Sequence, residues 1–318
     1  MFDVVVRNKT LETPNIASFE LAHVGNEKMP SFTTGSHIDV HIADGLIRQY
    51  SLINHDQSDE FYKIAVLNDT QSRGGSVALH NNVQIGDTLT ISEPRNLFPL
   101  NVNSDKVMLF AGGIGITPIM SMAIELDSLG VDFELHYHAK SQTEAAFYEQ
   151  LKNASFAAKV FFHFSGEREK NDAAINSALS TFTENAHLYT CGPVAYMDYV
   201  FDSARANSWP EANLHKEIFK AEPKVSESGD GAFKLILSRS SLELEVAADQ
   251  TALEVIDAAG IAVDVSCEMG ICGACLTKVT DGIPDHRDDF LTDAEKAKND
   301  QFTPCCSRAL SDTLTLDL

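Results

Sequence analysis

The sequence predicts a multi-domain chain: an antiparallel β-barrel, an α/β domain on a parallel sheet, and a small α+β domain built around a cysteine loop. Three observations carry this. Residues 1–102 set short apolar runs between turn signals, the rhythm of antiparallel strands. From residue 103 strands alternate with helical stretches, the pattern of a parallel sheet. Five of the six cysteines fall in the last third of the 318-residue chain. The expected limits are 1–102, 103–222, a linker over 223–231, and 232–318.

In the first part the apolar runs are Val4–Val6, Ile38–Ile42, Ile64–Leu67 and Thr88–Ile91, punctuated by Gly35, Gly45, Gly74-Gly75 and Gly86-Asp87. In the second, Val107–Ala111 reads as a buried strand, followed by a glycine loop and a helix over Thr117–Leu129. Phe133–Tyr137, Val160–Phe164 and Ala186–Cys191 read as further strands, and Ala145–Asn153 as a helix. Residues 221–231 are polar and poor in bulky apolar side chains, as a linker should be. Phe233–Leu237 and Leu242–Val246 then predict a hairpin, and Ala252–Ala259 a helix capped by Thr251 or Gln250.

The cysteines give the sharpest chemistry. Cys267, Cys272 and Cys275 stand in a C-x4-C-x2-C loop, and Cys305 follows after 29 intervening residues. That is the plant-type [2Fe–2S] spacing. Four thiolates must converge on two irons, so one compact loop wraps the cluster and a distant segment supplies the last ligand. Gly270 and Gly273 allow the tight turns that aim backbone N–H groups at sulfur. A structural zinc site is the rival reading, but zinc favours two short C-x2-4-C pairs. Cys306 competes with Cys305 for the fourth position. Neighbours on an extended chain face opposite ways, so one of the two reaches the iron.

Four further motifs point to nucleotide cofactors. Arg48-Gln49-Tyr50-Ser51 resembles the R-x-Y-S flavin signature of the ferredoxin–NAD(P)+ reductase superfamily. A tyrosine can pack on an isoalloxazine, a serine hydroxyl can bond a ring nitrogen, and an arginine can hold phosphate. By itself the motif also describes an amphipathic strand. Arg73-Gly74-Gly75-Ser76 precedes an apparent helix at Val77–Leu79, a form that cradles phosphate. Ala65, on the strand before it, is counted among the flavin contacts. Gly112, Gly113, Gly115 and Thr117 lie where a strand runs through a glycine loop into a helix, a dinucleotide-site arrangement. Cys191-Gly192-Pro193 follows another strand and matches the superfamily's second nicotinamide signature. There the cysteine lies beside the hydride-transfer path, so Ser51 and Cys191 are the expected catalytic pair.

Together these motifs resemble the phthalate dioxygenase reductase family over essentially the whole chain. Glu93–Leu100 resembles its P-R-N-x-F-P-L junction, His215–Phe219 its H-x-E-x-F segment, and Cys305–Ala309 its C-x-S-R-A ending. The resemblance implies Cys305 as the fourth ligand, Cys306 as a small buried apolar residue, and Phe219 near the flavin. It implies FMN rather than FAD, NADH rather than NADPH, a β-grasp ferredoxin domain, and a Rieske-type oxygenase as electron acceptor. One departure is that Leu67-Asn68 stand where family members often carry basic residues, which shifts the phosphate grip to Arg48, Arg73 and Ser76. NADH would give a hydride to FMN, and single electrons would leave through the cluster. No second cysteine–histidine cluster or facial triad appears in the sequence for terminal oxygen chemistry.

A net charge of −22 argues against nucleic acid as partner and suits docking to a basic protein surface. Near the cluster, Glu268, Asp281, Asp285, Asp288 and Asp289 outnumber Lys278 and Arg287. No run reaches the roughly 20 apolar residues of a membrane span, and no signal peptide opens the chain, so the expectation is a cytoplasmic protein away from membranes. Two alternatives stand beside this reading: the same enzyme serving another metalloprotein of hybrid-cluster type, or a zinc-stabilised binding module with relic reductase domains.

Overall fold

The computed structural model describes residues 1–25, 27–43, 46–53, 60–71, 74–180, 182–220 and 230–318. Its contacts divide the chain into Met1–Ile218 and Phe219–Leu318. The expected linker falls largely outside the described residues, as do Gly45 and Arg73.

The first unit opens with β1 (Phe2–Thr13), β2 (Ile16–His23), β3 (Ser36–Ala43), β4 (Leu46–Ser51) and β5 (Tyr62–Leu67). Helix α1 (Gly75–Asn82) follows, then β6 (Thr88–Ile91) and β7 (Arg95–Asn96). All pairings are antiparallel, in the order β4-β3-β6-β1-β2-β5 with β7 beside β3. Alternate residues point inward, as the two-residue period of a strand requires: Val4 and Val6, Ile38 and Val40, Ile64 and Val66 are all buried. The helix read at Val77–Leu79 is longer than expected. Lys9 Nζ explains where it stops, donating to the His80 and Val83 carbonyls at 2.7 Å each.

The parallel domain consists of β8 (Lys106–Gly112), α2 (Ile116–Leu129), β9 (Asp132–Ala139), α3 (Tyr148–Lys152), β10 (Val160–Phe164), α4 (Arg168–Leu179), β11 (Ala186–Cys191), α5 (Val194–Ala206) and β12 (Leu214–Glu217). The strands run parallel in the order β10-β9-β8-β11-β12. Val107, Leu109 and Ala111 pack with α2, while Met108 and Phe110 pack with α4 and α5. Both faces of β8 are covered, which is why it reads as an unbroken apolar run. Ile16, Ile53, Ala65 and Phe98 of the barrel join the α2-side core, so barrel and sheet share one apolar cluster.

Helix α3 is shorter than the expected 145–153. Ala145, Ala146 and Phe147 are buried, and Phe147 turns left-handed at φ +61°, so core packing overrides local helix preference. Helices α4 and α5 were not anticipated. In α5 a signal was present: Met197, Val200, Phe201 and Ala204, all buried, fall at helical spacing.

The second unit contains β13 (Phe233–Leu237), β14 (Leu242–Val246), α6 (Ala252–Ala258), β15 (Thr277–Asp281), β16 (Pro284–Asp285), α7 (Asp293–Lys296), β17 (Gln301–Phe302), β18 (Arg308–Ala309) and β19 (Thr313–Leu316). The predicted hairpin β13–β14 is antiparallel, and β13 pairs in parallel with β19, joining both ends of the unit as in a β-grasp fold. Thr251 caps α6: its hydroxyl accepts from Glu254 N at 3.1 Å while Glu254 accepts from Thr251 N at 2.8 Å. Such a box is worth about 1 kcal/mol. No helix among the described residues is long and apolar enough to cross a membrane.

Candidate cofactor sites

Arg48, Tyr50 and Ser51 lie on β4, whose pairing with β3 fixes their positions. The Arg48 side chain lies over Gly75, at the first turn of α1: a Cβ there would stand 2.6 Å from Arg48 Cγ. Gly74, at φ +87°, opens onto free space. A cation and the N-terminus of α1 are thus brought together, which suits a phosphate. Ser76 takes a different part, its hydroxyl accepting from Asp69 N at 3.2 Å and tying the preceding turn to the helix. Asn68 Oδ1 is buried without a hydrogen-bond partner among the described residues. A polar atom left over at the expected departure from the family pattern fits a ligand that would complete it. Ala65 is buried in the barrel wall that meets the α2 core.

The two nicotinamide signatures come together at the carboxyl ends of neighbouring strands β8 and β11, where open parallel sheets bind ligands. A Cβ on Gly115 would lie 2.1 Å from the Cys191 carbonyl oxygen, and one on Gly192 would lie 2.9 Å from Gly112 Cα. The loops touch because these positions lack side chains. Gly113, by contrast, faces free space at φ +56°. Thr117 is buried and its hydroxyl donates to the Ile114 carbonyl at 3.1 Å, shaping the loop from within. Pro193 caps α5, and Tyr196 of that helix packs on Gly112 and Gly192 while pairing with His138 Nδ1 at 2.9 Å. Thr190 Oγ1 is buried without a partner among the described residues.

Glu217, which is not among the expected site residues, connects the flavin strand with the nicotinamide loops. Strand β12 sets it in parallel register with Cys191, and it accepts a hydrogen bond from Ser51 Oγ at 3.3 Å. Burial pushes its carboxyl up to about 8, against the opposing effect of the Ser51 bond. Cys191 is fully buried; desolvation, then the nearby Glu217, push its thiol well up. The thiol therefore stays neutral and shapes the site rather than acting as a nucleophile. The signal for Glu217 lay in the H-x-E segment already noted, but its meeting with Ser51 needs the tertiary fold. Phe219 opens the second unit and is 36% exposed.

In the second unit Cys267 lies beside Cys272, and Cys305 beside both Cys275 and Cys306. Cys267 is held well below the ordinary thiol range, chiefly by the Cys272 thiol and then by backbone N–H groups. Met269 N and Cys272 N donate to Cys267 Sγ at 3.4 Å, and Ala274 N donates to Cys272 Sγ at 3.4 Å. Cys275 is likewise lowered by the thiol of Cys305. Two pairs suit two irons with two thiolates each, and backbone donors aimed at sulfur suit an anionic cluster. Gly270 and Gly273 adopt φ of +73° and +68°. The segment before Ser307 is a turn rather than extended chain, with Cys306 N and Ser307 N both bonding the Thr303 carbonyl. Cys305 meets the thiols of both Cys275 and Cys306, and Cys306 also reaches Thr303 Oγ1 at 3.4 Å. Cys306 is therefore half-buried beside the Cys305 thiol and the Thr303 and Ser307 hydroxyls, not a buried apolar residue.

The acidic set near the cluster also needs correction. Asp281 and Asp289 are exposed, but Asp288 is fully buried, and Asp285 pairs with Arg287 at 2.7 Å. Arg308 of the C-x-S-R-A ending is buried and donates to the Gln250, Gly231 and Ala247 carbonyls, a structural clamp on the unit.

Comparison with known proteins agrees with this architecture. Residues 235–310 match the family model described as a 2Fe-2S iron-sulfur cluster binding domain. The chain is 50% identical to vanillate O-demethylase oxidoreductase of Pseudomonas sp. strain HR199, covering 100% of both chains. Among solved structures it matches phthalate dioxygenase reductase, described as a modular structure for electron transfer from pyridine nucleotides to [2Fe-2S], with a TM-score of 0.78 and 36% identity over 100% of this chain and 98% of that one. It also matches an intact type IV self-sufficient cytochrome P450 monooxygenase, with a TM-score of 0.84 and 34% identity, spanning 41% of that longer protein. The chain belongs to the phthalate dioxygenase reductase family, whose members are reductase components of oxygenase systems.

Proposed function

We propose that this protein passes electrons from NADH through FMN and a [2Fe–2S] cluster to a Rieske-type oxygenase. The observation that carries the reading is the bond between Ser51, on the flavin strand, and Glu217, beside Cys191 at the end of the parallel sheet. It brings the flavin strand and the nicotinamide loops to one place. FMN, when bound, would supply a centre able to take a hydride's two electrons and pass them on singly, as a one-electron cluster requires.

The chain's own residues divide the work. Arg48 and the backbone of Gly74, Gly75 and Ser76, with Arg73, hold the FMN phosphate. Tyr50, Ser51 and Ala65 flank the ring. Gly112, Gly113, Gly115 and Thr117 form the dinucleotide loop, and Cys191, Gly192 and Pro193 form the wall beside the nicotinamide. Cys267, Cys272, Cys275 and Cys305 ligate the irons. Residues 1–102, 103–222 and 232–318 are the flavin, nicotinamide and ferredoxin domains, with 223–231 as linker. The reading extends to a cytoplasmic location, which use of a dinucleotide electron donor supports. The 50% identical relative makes a vanillate O-demethylase oxygenase the first acceptor to test.

The test is the visible spectrum of the purified protein, recorded anaerobically before and after NADH. Flavin and [2Fe–2S] absorption should both bleach on NADH addition. Flavin bleaching without cluster absorption would remove the electron-exporting role.

A further inference from the structure

Behind the cluster loop runs the segment His286-Arg287-Asp288-Asp289-Phe290, and it braces that loop at successive points. Asp289 N donates to the Gly270 carbonyl at 2.9 Å. The Phe290 ring occupies the space a Cβ on Gly273 would take. Between them Asp288 packs on Gly270, where a Cβ would stand 3.3 Å from Asp288 Cβ and 2.4 Å from Cys306 Sγ. Asp288 has no solvent exposure at all, which is rare for a carboxylate.

Its surroundings suit an anion. Oδ2 accepts from Leu291 N at 2.7 Å, and Oδ1 from the Thr303 hydroxyl at 3.4 Å. His286 Nδ1 stands 3.7 Å from Oδ1, its side chain only 9% exposed. Lys296 Nζ bonds the Asp288 backbone carbonyl at 2.7 Å, holding the segment in place. Surface acids act on a cluster through water and salt; this one acts through protein.

We propose that Asp288, buried against the middle of the loop that carries Cys267 and Cys272, sets the reduction potential of the cluster as a positioned negative charge. The inference rests on the [2Fe–2S] assignment above. A fixed charge behind the loop disfavours a further electron there, and net charge with solvent exposure is a main determinant of such potentials. Asp288 acts through the loop, so it is a positioning residue. The neighbouring Asp289 carries the same formal charge on an exposed side chain, which makes it the natural control.

The experiment is an EPR-monitored redox titration of the full-length protein and three variants. Asp288→Asn keeps the shape and removes the charge, and its midpoint potential should rise. Asp289→Asn should stay at the wild-type value, because water screens its charge. Thr303→Val keeps the carboxylate but removes a hydroxyl that donates to it, and its midpoint should fall. An Asp288→Asn midpoint no higher than that of Asp289→Asn would overturn the inference. If Asp288→Asn does not retain iron, Thr303→Val decides: a lowered midpoint supports the inference, and an unchanged or raised one overturns it. A wild-type protein lacking iron and sulfide would instead overturn the cluster assignment itself, and the inference with it.

Discussion

Glycine serves opposite purposes in the nicotinamide loop and in the cluster loop. At Gly113 a missing side chain leaves open space at the end of a parallel strand. At Gly270 and Gly273 the protein fills that space itself, with Cys306, Asp288 and Phe290. The difference follows from what each loop holds. A dinucleotide must enter and leave on every turnover, so its loop keeps a face open. A cluster is held for the life of the protein, so its loop is packed from behind. Gly115 stands between these cases, because its close approach to the Cys191 carbonyl joins two loops around an opening that lies elsewhere.

The largest expected effect tests the closed site. Cys305→Ser should abolish the [2Fe–2S] absorption, while Cys306→Ser should keep it, since Cys305 hydrogen-bonds Cys275 whereas Cys306 packs against Gly270 and Thr303. Retention of the cluster in the first variant would break the pairing of Cys275 with Cys305. Next comes the joining glycine. Gly115→Ala would drive a methyl into backbone, so NADH-dependent flavin reduction measured by stopped flow should fall about 100-fold, the scale of a 1 Å misplacement. Gly113→Ala meets no neighbour and pays only the left-handed backbone penalty of about 1–2 kcal/mol. It should raise KM for NADH roughly tenfold with kcat retained. Equal losses in the two variants would erase the distinction between open and joining positions.

The smallest effect concerns pH. With its carboxyl raised to about 8, Glu217 is neutral below that pH and charged above it. Negative charge beside the flavin strand opposes arrival of a hydride, so the rate of flavin reduction should decline as pH rises through about 8. Glu217→Gln should remove that decline and leave the rate at pH 7 close to wild type. A decline that persists in the variant would assign it to another group.

Much of this was legible along the chain, and the reasons are local. The strand Val107–Ala111 announced itself because a strand covered on both faces must be apolar throughout. The hairpin Phe233–Val246 and the capped helix after it follow from neighbouring residues alone. Helix α4 gives little sign of itself because its sequence is largely polar, and α3 is shorter than its local preference because burial of Phe147 outweighs it. Asp288 reads along the chain as one of an acidic group, since nothing in a string of residues distinguishes a buried aspartate from a solvated one.

The sequence by itself determined which atoms could do the chemistry: thiolates at the spacing of a two-iron cluster, glycines where strands meet phosphate, and the arginine and serine of the flavin strand. Those signals survive in one dimension because ligand spacing and backbone freedom are properties of short segments. Tertiary structure alone decided which groups meet across long separations. It brought Ser51 to Glu217 through a shared core, set Cys305 against Cys275 and Cys306 against Gly270 and Thr303, and buried Asp288 behind the cluster loop. Burial and long-range contact depend on how sheets and loops pack, and no local pattern encodes them.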